Sequence, residues 1–238
     1  MKAVAIILSI IVFTACLVLG IQAGNSSSLG NPNDPNPAEQ TVATLAPQRT
    51  LLLVGVDDLQ AASPRLISLW VLFYRTDLSH VTVLPLYPNS DTARSQEISQ
   101  AFTLTDERAP SDTFFSALKA ERFQWTGYVL ADQAATSQMI DWLQGVDLQG
   151  ATLDGAGALA SLVDPWADLP GALDSQRRLG EGLCAKVAQL PSDSGWLAQT
   201  AGLIPTHLRT DLGLEMVFAD WGALKGAAAP LSCEFPTE

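Results

Sequence analysis

Two adjacent aspartates, Asp57 and Asp58, directly follow an apolar run that begins at residue 50 and reads TLLLVGV. Such a run is typical of a buried strand, and ligands of α/β sheets bind at the carboxyl ends of strands. Carboxylate oxygens can bind a divalent cation there, and a nearby arginine can hold a phosphate through paired N–H donors. The two aspartates are therefore the first candidates for a ligand site.

Two further apolar runs position these aspartates. Residues 67–75 and 81–87 read as strands, and only the short polar segment 76–80 joins them. A connection this short predicts an antiparallel pair, because parallel strands need a long crossover.

The rest of the chain alternates helical patterns with one more strand. Residues 95–103 fit either a short helix or a loop. The other predicted elements are helices over residues 111–122, 132–143, 171–190 and 210–224, and a strand over residues 128–131. Helices interleaved with strands predict an α/β (α+β layered) domain, in which helices flank a mixed central sheet.

The N-terminal 24 residues form a membrane-targeting segment. Residues 3–23 carry no charge, and the stretch is long enough to cross a bilayer. A single uncleaved transmembrane helix with Lys2 inside, a signal peptide cleaved near Ala23, and a lipoprotein signal at Cys16 all fit. We predict the uncleaved helix, which makes the protein single-pass in the cell membrane. All three interpretations place the remaining chain on the extracytoplasmic side.

Two segments follow the anchor. Residues 25–48 are rich in Asn, Ser, Gly and Pro without a hydrophobic period, which predicts a disordered linker. Residues 49–238 have the length of one extracytoplasmic domain.

The charge, the histidines and the motifs of the chain argue against nucleic-acid binding, a metal site and a serine hydrolase. The net charge is −12 with only 13 lysines and arginines, so the chain would repel nucleic acid. His80 and His207 have no cysteine or histidine at metal-ligand spacing, and we interpret both as ordinary surface or turn residues. No Gly-x-Ser-x-Gly motif supports a serine hydrolase.

Two cysteines lie in the predicted extracytoplasmic domain, where disulfides persist. A bridge between Cys184 and Cys233 would attach the Pro-rich C-terminal tail to the predicted helix 171–190. The alternative is a buried Cys184 and a free Cys233.

A series of motifs, in order, resembles the LytR-CpsA-Psr family of membrane-anchored envelope proteins. The first, residues 52–57 (LLVGVD), matches a family strand that ends Leu-Leu-Gly-x-Asp. The later matches are residues 83–85 (VLP), 128–132 (YVLAD), 143–148 (LQGVDL), 153–159 (LDGAGAL), 174–178 (DSQRR) and 209–212 (RTDL). Together they cover nearly all of the predicted domain.

This resemblance implies a transferase that moves a glycopolymer from a polyprenyl (pyro)phosphate carrier onto peptidoglycan. Family members hold the pyrophosphate with several arginines and use Mg²⁺ to neutralise charge during phosphoryl transfer. Carried over by position, Asp57 is the metal ligand and forms the catalytic set with Arg65 and Arg177. Asp58 and Arg178 complete the ligand-binding set.

The chain departs from the family at most of the other charged positions. Leu59 replaces an arginine, Ile67 replaces a metal-binding aspartate, and Leu86-Tyr87 replaces an Arg-Asp pair. Residues 162–165 (LVDP) replace a further pair of arginines. We therefore predict a degenerate member that binds polyprenyl-linked glycopolymer without catalysis. An active Mg²⁺-dependent phosphotransferase and a scaffold for envelope proteins are the alternatives.

Overall fold

A six-stranded mixed sheet forms the centre of the fold in the computed structural model, which describes residues 48–119, 124–191 and 195–236. The strands are β1 (Gln48–Val56), β2 (Leu66–Arg75), β3 (His80–Tyr87), β4 (Gly127–Asp132), β5 (Val146–Leu148), β6 (Ala151–Leu153), β7 (Leu208–Thr210) and β8 (Ser232–Glu234). The order across the sheet is β7-β4-β1-β2-β3-β8, and β5 and β6 form a separate hairpin.

Strand directions in the sheet are mixed. β1 runs antiparallel to β2 and parallel to β4, and β3 runs antiparallel to β2 as predicted. β7 is antiparallel to β4, and β8 is parallel to β3. The predicted mixed sheet is therefore confirmed.

Helices cover both faces of this sheet. They are α1 (Thr92–Ala101), α2 (Asp112–Leu118), α3 (Gln133–Trp142), α4 (Gly155–Ala160), α5 (Leu169–Gln189), α6 (Gly195–Ala201) and α7 (Leu214–Gly226). The first five begin after a residue whose side chain accepts the backbone N–H three positions on, which satisfies a donor that the helix leaves unpaired. These capping residues are Asp91, Ser111, Asp132, Asp154 and Asp168.

Two apolar clusters hold the layers together. On one face, Val54 of β1 packs with Ile98 of α1 and Phe114 of α2. On the other face, Trp70 and Tyr74 of β2 pack with partly buried residues of α5, α7 and the C-terminal tail. Leu53 of β1 also packs against this second cluster. β1 therefore contributes side chains to both clusters, as its near-continuous apolar sequence predicts.

The C-terminal tail is attached to α5 by a disulfide between Cys184 and Cys233, whose Cα atoms are 6.2 Å apart. β8 pairs with the start of β3, and Phe235 packs edge-on against Trp70 with ring centroids 6.2 Å apart. The tail thus closes the apolar cluster on the α5 face.

One predicted helix begins later than expected. The sequence predicts a helix over residues 210–224, whereas α7 begins at Leu214 and Thr210 belongs to β7. The hydroxyl of Thr210 donates to the carbonyl of Tyr128 at 2.6 Å, and Asp211 Oδ1 accepts the Tyr128 N–H at 2.7 Å. Both side chains therefore bind the neighbouring strand β4 and do not cap a helix.

The predicted membrane segment 1–24 and most of the linker 25–48 lie outside the described residues. Within residues 48–119, 124–191 and 195–236, no helix has both the length and the apolar character needed to span a bilayer. The described residues all belong to one compact unit.

Candidate functional site

One edge of the sheet carries most of the candidate residues. The strand directions place the carboxyl ends of β1, β3 and β4 at this edge, together with the amino ends of β2 and β7. The residues at these strand ends are, in order along the edge, His207, Asp132, Asp57, Arg65 and Tyr87. We refer to this row as the carboxyl edge.

Asp57 and Arg65 form an ion pair that closes the loop between β1 and β2. Asp57 Oδ2 accepts the Arg65 Nε–H at 2.9 Å, and Asp57 Oδ1 accepts the backbone N–H of both Arg65 and Asp58 at 2.8 Å. The backbone N–H of Asp57 donates to the Arg65 carbonyl at 3.1 Å. Leu59, inside this loop, is completely buried in the apolar cluster. The pair therefore fixes the loop to the end of the sheet.

The electrostatics of Asp57 reflect these contacts. Burial acts to raise its pKa, but hydrogen bonds from the Arg65 side chain and from the N–H groups of Arg65 and Asp58 outweigh burial and hold the pKa below its ordinary value of 3.8. Asp57 is therefore a carboxylate at neutral pH, with both oxygens already engaged.

Replacement of Asp57 by asparagine is expected to lower the free energy of unfolding by about 1 kcal/mol near neutral pH, because the partly exposed ion pair with Arg65 is lost. A pKa that is lower in the folded state contributes stability above its unfolded value, and this contribution disappears as pH falls through the folded value. Urea unfolding of both proteins from about pH 7 to about pH 3 should show the two curves converging at the acid end. A difference that stays constant over this range would contradict the assignment.

The structure brings Asp57, Asp58 and Arg65 together, whereas the ion pairs of Arg177 and Arg178 are with acidic residues of α5. Arg177 lies 3.3 Å from Asp174 and 3.8 Å from Glu181, and Arg178 lies 2.8 Å from Asp174. In the described contacts, both guanidinium groups thus pair with acids of α5 itself. Their predicted role with phosphate stays a prediction.

The face of α5 that meets the sheet carries Gln176 instead. Its Nε2 donates to the Ile67 carbonyl at 2.9 Å, and its Oε1 accepts the Trp70 Nε1–H at 3.3 Å. Gln176 is buried, so it anchors α5 to β2. Gln176 is not among the residues predicted for the site, although it directly precedes Arg177 and Arg178 in the segment 174–178.

The residues present do not fit a Mg²⁺ site. Asp57 uses both oxygens for Arg65 and the backbone, and Ile67 supplies no oxygen where the family resemblance expects an aspartate. Asp58 is exposed, and its Oδ1 accepts the Gln60 N–H at 2.8 Å. In the described part of the chain, no group of three His, Cys, Asp or Glu residues is arranged to hold a metal ion. Mg²⁺ prefers six oxygen ligands in near-octahedral geometry.

A cavity of about 520 Å³ lies beside Tyr87 at the carboxyl edge. Polar residues of α1 form one wall, and the segment 165–170 at the start of α5 forms the other. The α1 wall consists of Thr92, Ser95, Gln96, Ser99 and Gln100. This volume is in the range of small-molecule sites, roughly 300–1,000 Å³. We refer to it as the Tyr87 cavity.

Tyr87 itself stays protonated at neutral pH. Burial, with a smaller contribution from the carboxylate of Asp164, raises the pKa of its phenol to about 12 although Arg65 opposes the shift. The phenol is therefore a hydrogen-bond donor at the wall of the cavity. Arg65, the partner of Asp57, acts to lower this pKa, so its charge acts on a residue of the cavity wall.

A hydrogen bond between His207 and Asp132 lies at the other end of the carboxyl edge. His207 Nδ1 lies 2.9 Å from Asp132 Oδ2, and the Asp132 side chain is 2% exposed. Asp132 Oδ1 also accepts the Ala135 N–H at 2.8 Å as the cap of α3. The pair joins the end of β4 to the start of β7, a contact that the interpretation of His207 as an ordinary surface or turn residue missed.

Comparison with known proteins supports the fold. No family model matches the sequence, and no curated protein matches it in sequence. The structure is similar to TagV from B. subtilis, with a TM-score of 0.55 and 15% identity over 80% of this chain and 84% of that chain. It is also similar to TagT bound to LIIa-WTA, with a TM-score of 0.54 and 16% identity over 79% of this chain and 78% of that chain.

A third structure, protein gbs0355 from Streptococcus agalactiae, gives a TM-score of 0.56 at 9% identity over 79% of this chain and 76% of that chain. TagV and TagT are LytR-CpsA-Psr proteins, so the described part of this chain has the LytR-CpsA-Psr fold. Identities this low establish the fold alone.

Proposed function

We propose that this protein binds an envelope glycopolymer precursor in the Tyr87 cavity and does not carry out metal-dependent phosphoryl transfer. The observation that carries the proposal is the position of this cavity, at the carboxyl edge of a fold shared with TagT bound to LIIa-WTA. Ligands of open α/β sheets bind outside the carboxyl ends of strands, which supports the choice of this edge.

The residues at the cavity argue against phosphoryl transfer. That reaction depends on cations that neutralise the charge developing on the transferred group. The residues aligned with the family's charged pairs, Tyr87 and Pro165, line the cavity with an uncharged phenol and an apolar ring. The guanidinium of Arg65, whose charge acts on Tyr87, is already paired with Asp57. Binding without catalysis is the function that these contacts favour.

Location and partners are part of the proposal. The apolar segment 3–23 would anchor the chain in the cell membrane with residues 49–238 on the extracytoplasmic side. A binding domain placed there meets polyprenyl-linked glycopolymer at the membrane surface and peptidoglycan beyond it. The net charge of −12 argues against nucleic acid as a partner.

The test is a thermal shift of the full-length protein in detergent micelles with LIIa-WTA, measured with Mg²⁺ and with a chelator. A ligand that binds only the folded state raises the melting temperature. We expect the same rise in both conditions. A rise that requires Mg²⁺ would instead support the phosphotransferase, and no rise at saturating ligand would overturn the proposal.

A matched pair of variants locates the binding site in this test. Ala167→Trp adds a large side chain to the cavity wall, whereas Ala134→Trp adds the same side chain to the exposed surface of α3, outside the cavity. We expect Ala167→Trp to abolish the thermal shift and Ala134→Trp to keep it. Equal shifts in the two variants would place the ligand elsewhere.

A further inference from the structure

We infer that the Tyr87 cavity recognises an uncharged sugar ring, stacked on Trp166, and not the phosphate groups of a lipid carrier. This inference rests on the proposed function, because it names the part of the glycopolymer that the cavity binds. It follows from three features of the cavity: a fixed aromatic face, a wall of uncharged hydrogen-bonding side chains and the absence of cations among the described lining residues.

Trp166 supplies the aromatic face. It is 53% exposed and is one of the few large apolar side chains at the described surface. Its Nε1–H donates to the Leu66 carbonyl at 3.3 Å, and its backbone N–H donates to Asp164 Oδ1 at 3.0 Å. Because its polar atom is used in this contact, the indole is held in one orientation while much of its surface stays in solvent. Sugar rings pack their apolar C–H faces on such surfaces.

The opposite wall matches the hydroxyl groups of a sugar. Gln96 and Gln100 are exposed residues of α1, and each carries two donors and one amide acceptor. Thr92, at the start of the same helix, adds a hydroxyl that donates and accepts. Sugar hydroxyls are also both donors and acceptors, whereas ionised phosphate oxygens only accept. The mixed donor and acceptor set of α1 therefore favours hydroxyl groups.

Charge excludes phosphate as the group that this cavity selects. None of its described lining residues is lysine, arginine or histidine, and its one charged residue is Asp168. Asp168 Oδ1 accepts the Gly171 N–H at 3.1 Å as the cap of α5, so this carboxylate is fixed at the wall. A fixed carboxylate repels phosphate but accepts a hydrogen bond from a sugar hydroxyl.

The experiment uses full-length protein in detergent micelles, with ¹⁵N-labelled tryptophan. The indole N–H resonance of Trp166 is identified by its loss in Trp166→Phe, since the chain has six tryptophans. The probes are triacetylchitotriose, maltotriose and inorganic pyrophosphate. We expect at least one trisaccharide to shift the Trp166 resonance and to show saturation transfer from the protein to the sugar ring protons. We expect pyrophosphate to leave the Trp166 resonance unshifted.

Variants test the role of the ring. Trp166→Ala should weaken trisaccharide binding about tenfold, whereas Trp166→Phe should retain most of it because phenylalanine keeps an aromatic face. Gln100→Ala should also weaken binding. Two controls lie outside the cavity: Leu78→Ala removes another exposed apolar side chain, and Gln138→Ala removes an exposed glutamine of α3. Both should bind like the original protein.

The outcomes separate this inference from the proposed function. If LIIa-WTA binds but neither trisaccharide does, or if pyrophosphate alone shifts the Trp166 resonance, the sugar assignment is overturned and glycopolymer binding stands. If LIIa-WTA and both trisaccharides fail to bind, both proposals are overturned. Trisaccharide binding that is equal in Trp166→Ala and the original protein would overturn the role of the ring.

Discussion

Loss of the Cys184–Cys233 disulfide is expected to lower the free energy of unfolding by about 4 kcal/mol, the loop-closure estimate for a crosslink over this sequence separation. The two cysteines are 49 residues apart, so the bond restricts a long segment of the unfolded chain. The three-residue strand β8, the contacts of Phe235 and side-chain hydrogen bonds of Ser232 and Glu234 to residues 79 and 80 also hold the tail. Without the crosslink, β8 should separate from β3 more readily than the longer strands of the sheet separate from one another.

The measurement is urea unfolding of full-length protein in detergent micelles, comparing the original chain with the Cys184→Ser/Cys233→Ser double variant. Tryptophan fluorescence should also report the change in the folded state, because Trp70 packs against Phe235. Added reductant serves as the control: it should destabilise the original protein and leave the double variant unchanged. A difference below about 1 kcal/mol between the two proteins would contradict a stabilising crosslink.

Local patterns in the sequence were sufficient to predict the longer strands and helices. β1, β2 and β3 were predicted within a few residues, because apolar runs of eight to ten residues carry a strong signal. The helix predicted over residues 132–143 is also confirmed as α3, because Asp132 directly precedes an amphipathic pattern and its side chain satisfies one of the first N–H groups of the helix. In both cases the determining contacts lie close together in the sequence or follow from burial.

Elements held by distant partners were not predictable in the same way. β7 has three residues, and it forms because Thr210 and Asp211 bind Tyr128, more than 80 positions earlier in the chain. Threonine and aspartate are also good helix caps, so the sequence alone favours a helix that begins at residue 210. β8 depends similarly on β3 and was not predicted.

In the candidate site, too, contacts between residues close in sequence were predictable and contacts between distant residues were not. The proximity of Asp57 and Arg65 follows from a short loop between two strands, and the structure places them 2.9 Å apart. Which residues of α5 contact the sheet depends on tertiary packing. Gln176 makes that contact, whereas Arg177 and Arg178 pair with Asp174 of α5 itself. Trp166 gave no periodic or motif signal, because its position at the cavity depends on where the fold places residues 165–170 opposite α1.

Gly155 is a position where one methyl group should have a large effect. This buried glycine begins α4, and its N–H donates to Asp141 Oδ1 of α3 at 2.7 Å. A Cβ added there would overlap the carbonyl oxygen of Ser137 and lie 2.6 Å from its carbonyl carbon. These are backbone atoms of α3, so they cannot rotate away as a flexible side chain would. The glycine in the segment 153–159 is thus required for the close packing of α4 on α3.

Replacement of Gly155 by alanine is therefore expected to lower the free energy of unfolding by about 3 kcal/mol or more, because α3 and α4 must separate to admit the methyl group. Gly222 is the matched control: it lies within α7, and an added Cβ would meet no atom within 4 Å. Gly222→Ala should raise the free energy of unfolding by about 0.5–1 kcal/mol, since alanine favours a helix interior. Urea unfolding of the three proteins measures both changes, and a Gly155→Ala variant as stable as Gly222→Ala would show that α4 does not pack this closely on α3.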